Sequence, residues 1–123
     1  MTKTRIVVIE DDADLREAMC LMLRYEGYEV CGFSNGKEAI RRLEDGLPAD
    51  VILLDLMMPI MTGWEFCEYR AGSTRLASVP VIIVTARQVA ARPVGVDDVL
   101  LKPFGPDQLQ ETLARVLRAP DAR

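Results

Sequence analysis

The chain has 123 residues, enough for one domain of ordinary size but too few for two. Half of the residues are hydrophobic and only seven are aromatic (one Trp, three Tyr and three Phe), so the core is expected to be aliphatic. The net charge of −4 argues against nucleic-acid binding, for which a basic patch is expected. No apolar run approaches the roughly 18 residues of a membrane helix, and no secretory signal is visible. We therefore expect a cytoplasmic protein without membrane insertion.

Sulfur and imidazole chemistry are both restricted in this chain. Cys20, Cys31 and Cys67 are odd in number and form no C-x-x-C pair, so free thiols in a reducing compartment are expected. Histidine is absent, which excludes histidine general-base catalysis, histidine metal ligands and a phosphohistidine relay within the chain.

The first half of the chain alternates short apolar runs with amphipathic stretches. Arg5–Ile9 is predicted to be a strand, and Asp14–Tyr25 a helix with apolar residues at helical spacing. Glu29–Phe33 is a second, weaker strand. Asn35–Leu43 is a short helix that Asn35 caps, with a glutamate three residues on as its capping partner.

The second half continues the alternation. Val51–Leu54 is continuously apolar, as expected of a strand covered on both faces. The capping-box pattern Thr-Gly-Trp-Glu opens a helix over Thr62–Arg70. Further strands are predicted at Pro80–Val84 and within Val96–Leu101. A last helix runs from Pro106, at a favoured first helical position, to about Arg118.

Five strands alternating with helices predict an α/β fold, a doubly wound parallel sheet covered on both faces, with right-handed connections. Ligands of such sheets bind at the carboxyl ends of the strands, where the strand order reverses. The residues that follow the predicted strands are therefore the candidates for function.

Acids, a hydroxyl and an amine stand at four of these strand ends. Glu10 and Asp11 follow the first strand, Asp55 the third, Thr85 the fourth and Lys102 the fifth. Crowded carboxylates repel, and Mg²⁺, which prefers oxygen ligands, relieves the repulsion. A carboxylate can act as a nucleophile that forms an aspartyl-phosphate, and lysine and hydroxyl groups can bind phosphate oxygens.

Each of these residues also has a structural interpretation. Acids after a strand often favour a helix dipole, and Asp12 or Asp14 is expected to serve partly in that way. Thr85 could cap a helix, and Lys102 could be a solvated surface lysine. The joint placement of the residues at four strand ends favours the functional interpretation.

Four strings carry a resemblance to a known family. They are Ile6-Val-Val-Ile-Glu-Asp-Asp12, Asp55-Leu-Met-Met-Pro-Ile-Met-Thr-Gly63, Pro80-Val-Ile-Ile-Val-Thr-Ala86 and Lys102-Pro-Phe104. With these strings in order, the chain resembles a bacterial two-component response-regulator receiver domain (CheY-like) from about Thr4 to Leu117. The resemblance implies a flavodoxin-like (βα)5 fold with strand order 2-1-3-4-5. It also implies a single receiver domain over 1–123, with its core at about 4–118.

The resemblance implies a magnesium site with a defined set of ligands. Asp11 and Asp55 resemble direct ligands of Mg²⁺, and Glu10 resembles a ligand acting through water. Met57, two residues after Asp55, would offer its backbone carbonyl to the metal.

The resemblance also assigns the phosphoryl chemistry. Asp55 resembles the phosphoacceptor, which a sensor histidine kinase or a histidine phosphotransfer protein phosphorylates. Thr85 would contact the phosphoryl group and shift towards it, and Lys102 would bridge the acceptor and the phosphate. The peptide bond before Pro103 is expected to be cis.

Two departures from the family pattern concern signal output. The family usually has an aromatic residue three positions before the lysine, which moves on activation; here that residue is Val99. About eleven residues, Thr85–Gly95, must join two parallel strands, whereas a crossover normally needs a dozen or more. Ala86–Arg92 can form two turns at most before Pro93 ends them. We expect a shortened or irregular fourth helix and an altered output surface.

The leading hypothesis is a phosphoacceptor whose Mg²⁺-dependent phosphorylation on Asp55 switches binding to an unidentified downstream protein. It would take part in its own phosphotransfer and dephosphorylation without being a turnover enzyme, as a monomer or weak dimer. Met57 and Arg87, which flank the site, are expected to tune the loss of the phosphoryl group. The alternative is a phosphorylation-independent interaction module. A metal phosphatase is weakly supported, because Met57 stands where such hydrolases usually have a second acid.

Overall fold

The computed structural model describes residues 3–118. Within them lie five strands and four helices, close to the bounds that the sequence predicts. In chain order they are β1 (Arg5–Ile9), α1 (Ala13–Tyr25), β2 (Glu29–Phe33), α2 (Gly36–Glu44), β3 (Val51–Asp55), α3 (Gly63–Ala71), β4 (Val81–Thr85), β5 (Asp98–Leu101) and α4 (Pro106–Arg118). None of the helices in this part of the chain is long and apolar enough to cross a bilayer.

The five strands form one parallel sheet in the order β2-β1-β3-β4-β5, which confirms the predicted strand order. The order reverses at β1, which pairs with β2 on one side and with β3 on the other. Because all strands run in one direction, their carboxyl ends lie along a single edge of the sheet. The residues that follow β1, β3, β4 and β5 are therefore brought together by topology alone.

Alternate side chains of each strand enter two separate cores. On one face, α2 and α3 cover odd-numbered positions of β1 and β4 such as Val7 and Ile83. On the other face, α1 and α4 cover even-numbered positions such as Val8 and Ile82. β3 is buried at all five positions, as its uninterrupted apolar run predicts. Covering both faces leaves only the strand ends available for chemistry.

Helix caps form where the sequence predicts them. Asp12 caps α1 by accepting hydrogen bonds from the amides of Asp14 and Leu15, and Asn35 caps α2. Thr62 and Glu65 complete a reciprocal capping box at the start of α3. These caps fix where the chain enters each helix after crossing the edge of the sheet.

The connection between β4 and β5 contains no helix. Residues 86–97, all of which the structure describes, form turns and irregular backbone. The prediction of a shortened or irregular fourth helix is therefore wrong in that no helix forms here, because the connection is too short for a packed helix and Pro93 and Gly95 interrupt it. Val99 is half-buried against the core that α2 and α3 cover.

Two smaller predictions are confirmed. The three cysteines are free thiols, with Cys20 and Cys67 buried and Cys31 half-buried. The Lys102–Pro103 peptide bond is cis.

Candidate functional site

Four strand ends build one crevice at the edge of the sheet. Glu10 follows β1, Asp55 is the last residue of β3, Thr85 is the last residue of β4, and Lys102 follows β5. Since β1, β3, β4 and β5 are consecutive neighbours in the sheet, these residues come together although up to 92 positions separate them in the chain.

Three carboxylates form a tight cluster in the crevice. Glu10, Asp11 and Asp55 each place one carboxylate oxygen within 4.8 Å of the others. Glu10 and Asp55 are 2% and 7% exposed, whereas Asp11 is exposed to solvent. Buried like charges at this spacing are unfavourable unless a cation or a proton neutralises them. The cluster therefore has the donor chemistry of a site for a hard divalent cation.

Lys102 supplies the positive charge that faces these acids. Its Nζ lies 2.9 Å from Glu10 Oε1 and 3.8 Å from Asp55 Oδ1, and its side chain is mostly buried. The ion pair with Glu10 is thus a direct hydrogen bond, while the contact with Asp55 is longer. The ammonium group lies within reach of both carboxylates and of any group that binds between them.

The pKa of Asp55 reflects this environment. Burial, followed by repulsion from Glu10, raises the pKa of Asp55 to about 7, although Lys102 and the Met57 amide oppose the rise. Near neutral pH the metal-free cluster therefore binds a proton readily, and a divalent cation would displace it. The acids thus fit a Mg²⁺ ion in number, spacing and charge.

Met57 lies at the mouth of the crevice. Its backbone amide approaches Asp55 Oδ1 at 3.4 Å, so the chain folds back over the carboxylate directly after β3. Its side chain is 69% exposed. The backbone of Gly63 packs closely against this turn, because a Cβ added at Gly63 would lie 2.8 Å from the Cα of Leu56. That the Met57 carbonyl faces the metal remains a prediction.

Thr85 and Lys102 are joined through the backbone. The Thr85 carbonyl accepts a 2.7 Å hydrogen bond from the Lys102 amide, which ties the ends of β4 and β5 together. The Thr85 hydroxyl is buried and accepts a long hydrogen bond, 3.5 Å, from the Arg87 amide. This weak bond leaves the hydroxyl able to turn towards another partner.

The structure thus gathers Glu10, Asp11, Asp55, Thr85 and Lys102 at one edge of the sheet, as the sequence predicts. Sequence reasoning missed Arg16, whose guanidinium donates a 2.8 Å hydrogen bond to the Glu10 carbonyl and so fixes the backbone after β1. No sequence signal marks Arg16, because an arginine on the first turns of an amphipathic helix usually faces solvent.

The match to known proteins covers nearly the whole chain. Residues 6–114 match the family model described as "Response regulator receiver domain". The chain is 37% identical over 121 residues to the sensory transduction protein RegX3 of Mycobacterium tuberculosis, covering 94% of this chain and 51% of that protein. It is 33% identical over 119 residues to the phosphate regulon transcriptional regulatory protein PhoB of Escherichia coli, covering 93% of this chain and 52% of that protein. The chain spans about half the length of these relatives.

Solved structures agree with this match. Chemotaxis protein CheY4 of Vibrio cholerae superposes with a TM-score of 0.87 at 29% identity, covering 94% of this chain and 99% of that one. The receiver domain of sensor histidine kinase PA1611 from Pseudomonas aeruginosa superposes with a TM-score of 0.88 at 28% identity, covering 96% and 100%. That domain holds a magnesium ion in its active-site cleft. The chain therefore belongs to the response regulator receiver domains, the phosphoacceptors of two-component signalling.

Proposed function

We propose that Asp55 is the phosphoacceptor of this domain, and that it takes a phosphoryl group from a phosphohistidine of a sensor kinase or phosphotransfer protein. The observation that carries the proposal is the buried carboxylate of Asp55 between the acids Glu10 and Asp11 and the ammonium of Lys102. An Asp55 oxygen attacks phosphorus, the phosphorus–nitrogen bond of the donor breaks, and the donor histidine keeps the electron pair. The product is an acyl phosphate.

The acidic cluster would hold Mg²⁺. Asp11 and Asp55 would be direct ligands, Met57 would contribute its carbonyl, and Glu10 would act through water. When bound, the ion neutralises charge on the phosphoryl oxygens, which is the main requirement of phosphoryl transfer. The proposal is supported by the spacing of the three acids and by the magnesium ion in the PA1611 receiver domain.

Lys102 and Thr85 would stabilise the transferred group. Lys102 now hydrogen-bonds Glu10 and lies 3.8 Å from Asp55. A phosphoryl group on Asp55 brings new negative charge into this gap, and the ammonium then interacts with it as a point charge. Thr85 exchanges its long contact with Arg87 for a hydrogen bond from its hydroxyl to a phosphoryl oxygen.

Phosphorylation would shift a two-state equilibrium and so change the affinity for a downstream protein. We assign the domain a role as a phosphoacceptor that promotes its own phosphotransfer and dephosphorylation, without turnover of a separate substrate, in the cytoplasm. The intact set of acids, hydroxyl and amine favours this function over an interaction module that works without phosphorylation.

The test is intact mass after incubation with Mg²⁺ and acetyl phosphate. We expect the native chain to gain one phosphoryl group, and the gain to disappear with EDTA and in Asp55→Asn. Asp45→Asn, an exposed acid outside the crevice, is the matched control and should react like the native chain. A folded native chain that gains no mass, or an Asp55→Asn variant that still does, would refute the assignment.

A further inference from the structure

A cavity of about 580 Å³ lies beside the proposed acceptor, where the family has its fourth helix. On the side of the crevice it is lined by Leu56, Met57 and Thr85, and on the opposite side by Trp64 of α3. Its outer wall is formed by residues 87–91 of the irregular connection between β4 and β5. The cavity leaves space into which this wall can move if the Thr85 side chain changes its orientation.

One side-chain hydrogen bond ties this wall to α3 near the end that lies farther from Thr85 in the chain. The Trp64 indole N–H donates to the Ala91 carbonyl at 3.2 Å. Of residues 86–92, which we call the β4–β5 wall, only Val89 is half-buried and the other six are exposed. A segment with so few buried side chains is weakly held by packing, so this hydrogen bond has a large share in positioning it.

The connection beyond the wall is held more firmly. Gly95 has a φ of +74°, and an added Cβ there would lie 2.7 Å from Arg70 Nη1. Arg70 is buried and donates a 2.7 Å hydrogen bond from Nε to the Val79 carbonyl. Asp97 accepts a hydrogen bond from the Val81 amide at 3.0 Å. The connection is therefore anchored again from Gly95 to Asp97, after residues 86–92.

The near end of the wall begins at the acceptor site itself. The Arg87 amide reaches Thr85 only through the 3.5 Å contact with its hydroxyl. When that hydroxyl turns towards a phosphoryl group on Asp55, the Arg87 amide loses this contact, and the wall loses its side-chain hydrogen bond to Thr85.

We propose that Trp64 is a positioning residue that holds the β4–β5 wall in its unphosphorylated arrangement, and that phosphorylation of Asp55 breaks the Trp64–Ala91 hydrogen bond. The wall then moves relative to α3 into the free cavity, and its exposed surface changes. This is a two-state element biased from one side by the phosphoryl group. The inference rests on the proposed function of Asp55.

The test uses the whole chain with Mg²⁺, with and without acetyl phosphate, with intact mass measured on every sample. Cleavage by trypsin after Arg87, an exposed residue of the wall, should become about fivefold faster, the usual net effect of one hydrogen bond on the population of the displaced wall. Cleavage after Arg75, an exposed residue outside the wall, should be unchanged. Trp64 is the only tryptophan, so its fluorescence emission should shift in the same samples.

Trp64→Phe keeps a ring and removes the N–H donor. In this variant trypsin should already cleave quickly after Arg87 without acetyl phosphate, and phosphorylation should add little. Tyr69→Phe, which removes a hydroxyl of the same helix that bonds Glu44, is the matched control and should leave the wall unchanged.

The outcomes separate the two proposals. A mass gain of one phosphoryl group, without a change in the rate of cleavage after Arg87 or in emission, overturns the inference and leaves the acceptor intact. A Trp64→Phe variant with the native ratio of cleavage rates between the two states also overturns it, because a merely structural residue acts equally in both. No mass gain in the native chain overturns the proposed function and the inference with it. The native chain alone decides the question if Trp64→Phe fails to fold.

Discussion

Replacing Asp55 by asparagine should make the metal-free protein more stable at neutral and alkaline pH, although the residue lies at the centre of the site. Asparagine keeps the size of the side chain and removes its charge. In the native chain, burial and the carboxylate of Glu10 disfavour the ionised form of Asp55. Removing the charge therefore relieves repulsion without leaving a cavity.

The size of the effect follows from the pKa of Asp55, which rises from its ordinary value of 3.8 to about 7. Each pKa unit corresponds to about 1.4 kcal/mol, so the ionised group destabilises the fold by up to about 4 kcal/mol at pH 8. We expect asparagine to raise the free energy of unfolding by about 2–4 kcal/mol there. Below the unfolded pKa of 3.8 Asp55 is protonated in both states, so its carboxyl group does not destabilise the native chain. The native chain loses stability as pH rises above that value, and the loss is complete once pH has risen through about 7. The advantage of the variant should therefore fall below about 1 kcal/mol by pH 4.

Urea unfolding of both proteins in EDTA, at pH values from 4 to 8, measures this difference. Added Mg²⁺ should then raise the free energy of unfolding of the native chain with the logarithm of its concentration above Kd, and that of the variant much less. Asp45→Asn, at an exposed position, should change the free energy of unfolding by less than about 0.5 kcal/mol. If Asp55→Asn were no more stable than the native chain at pH 8 without metal, the carboxylate would not be an unfavourable buried charge and the reasoning would be wrong.

Three further predictions concern the metal and the loop after β3. Because Mg²⁺ must displace the proton that Asp55 binds below about pH 7, its apparent Kd should rise up to about tenfold per pH unit below that value; calorimetry that gave equal Kd at pH 5.5 and 8 would contradict this. Gly63→Ala should lower the free energy of unfolding, measured with urea, by about 1–3 kcal/mol, because its Cβ would meet the Leu56 backbone. Gly72→Ala, whose Cβ would make only a 3.8 Å contact, is the control and should change that free energy little. Thr62→Ala should cost about 1 kcal/mol in thermal unfolding through loss of the capping box, and an unchanged Tm would show that the cap is dispensable.

Local patterns predict much of this fold because they are enforced by local physics. The capping box at Thr62 and the buried run of β3 need no knowledge of distant residues, and both form as predicted. The short connection and Pro93 also predict that the helix after β4 is disturbed, but the complete loss of that helix is not predicted.

Other features depend on contacts across the fold. Lys102 lies nearer to Glu10 than to Asp55, and no spacing in the sequence encodes that difference. Trp64 and Arg70 stand on a helix with little amphipathic pattern, and their partners lie on segments that the rest of the fold positions. Their roles become visible only once tertiary structure places the connection after β4 beside α3.

The order in which the site residues occur has a consequence during synthesis. The acids belong to the first half of the chain, while the lysine that faces them follows β5, an edge strand. A nascent chain that has emerged only as far as residue 60 carries the repelling carboxylates without their countercharge. When β5 pairs with β4, the sheet is complete and the Lys102 ammonium group lies beside the acids. The site is therefore complete only when the whole sheet has formed. We therefore expect that an incomplete chain does not accept a phosphoryl group.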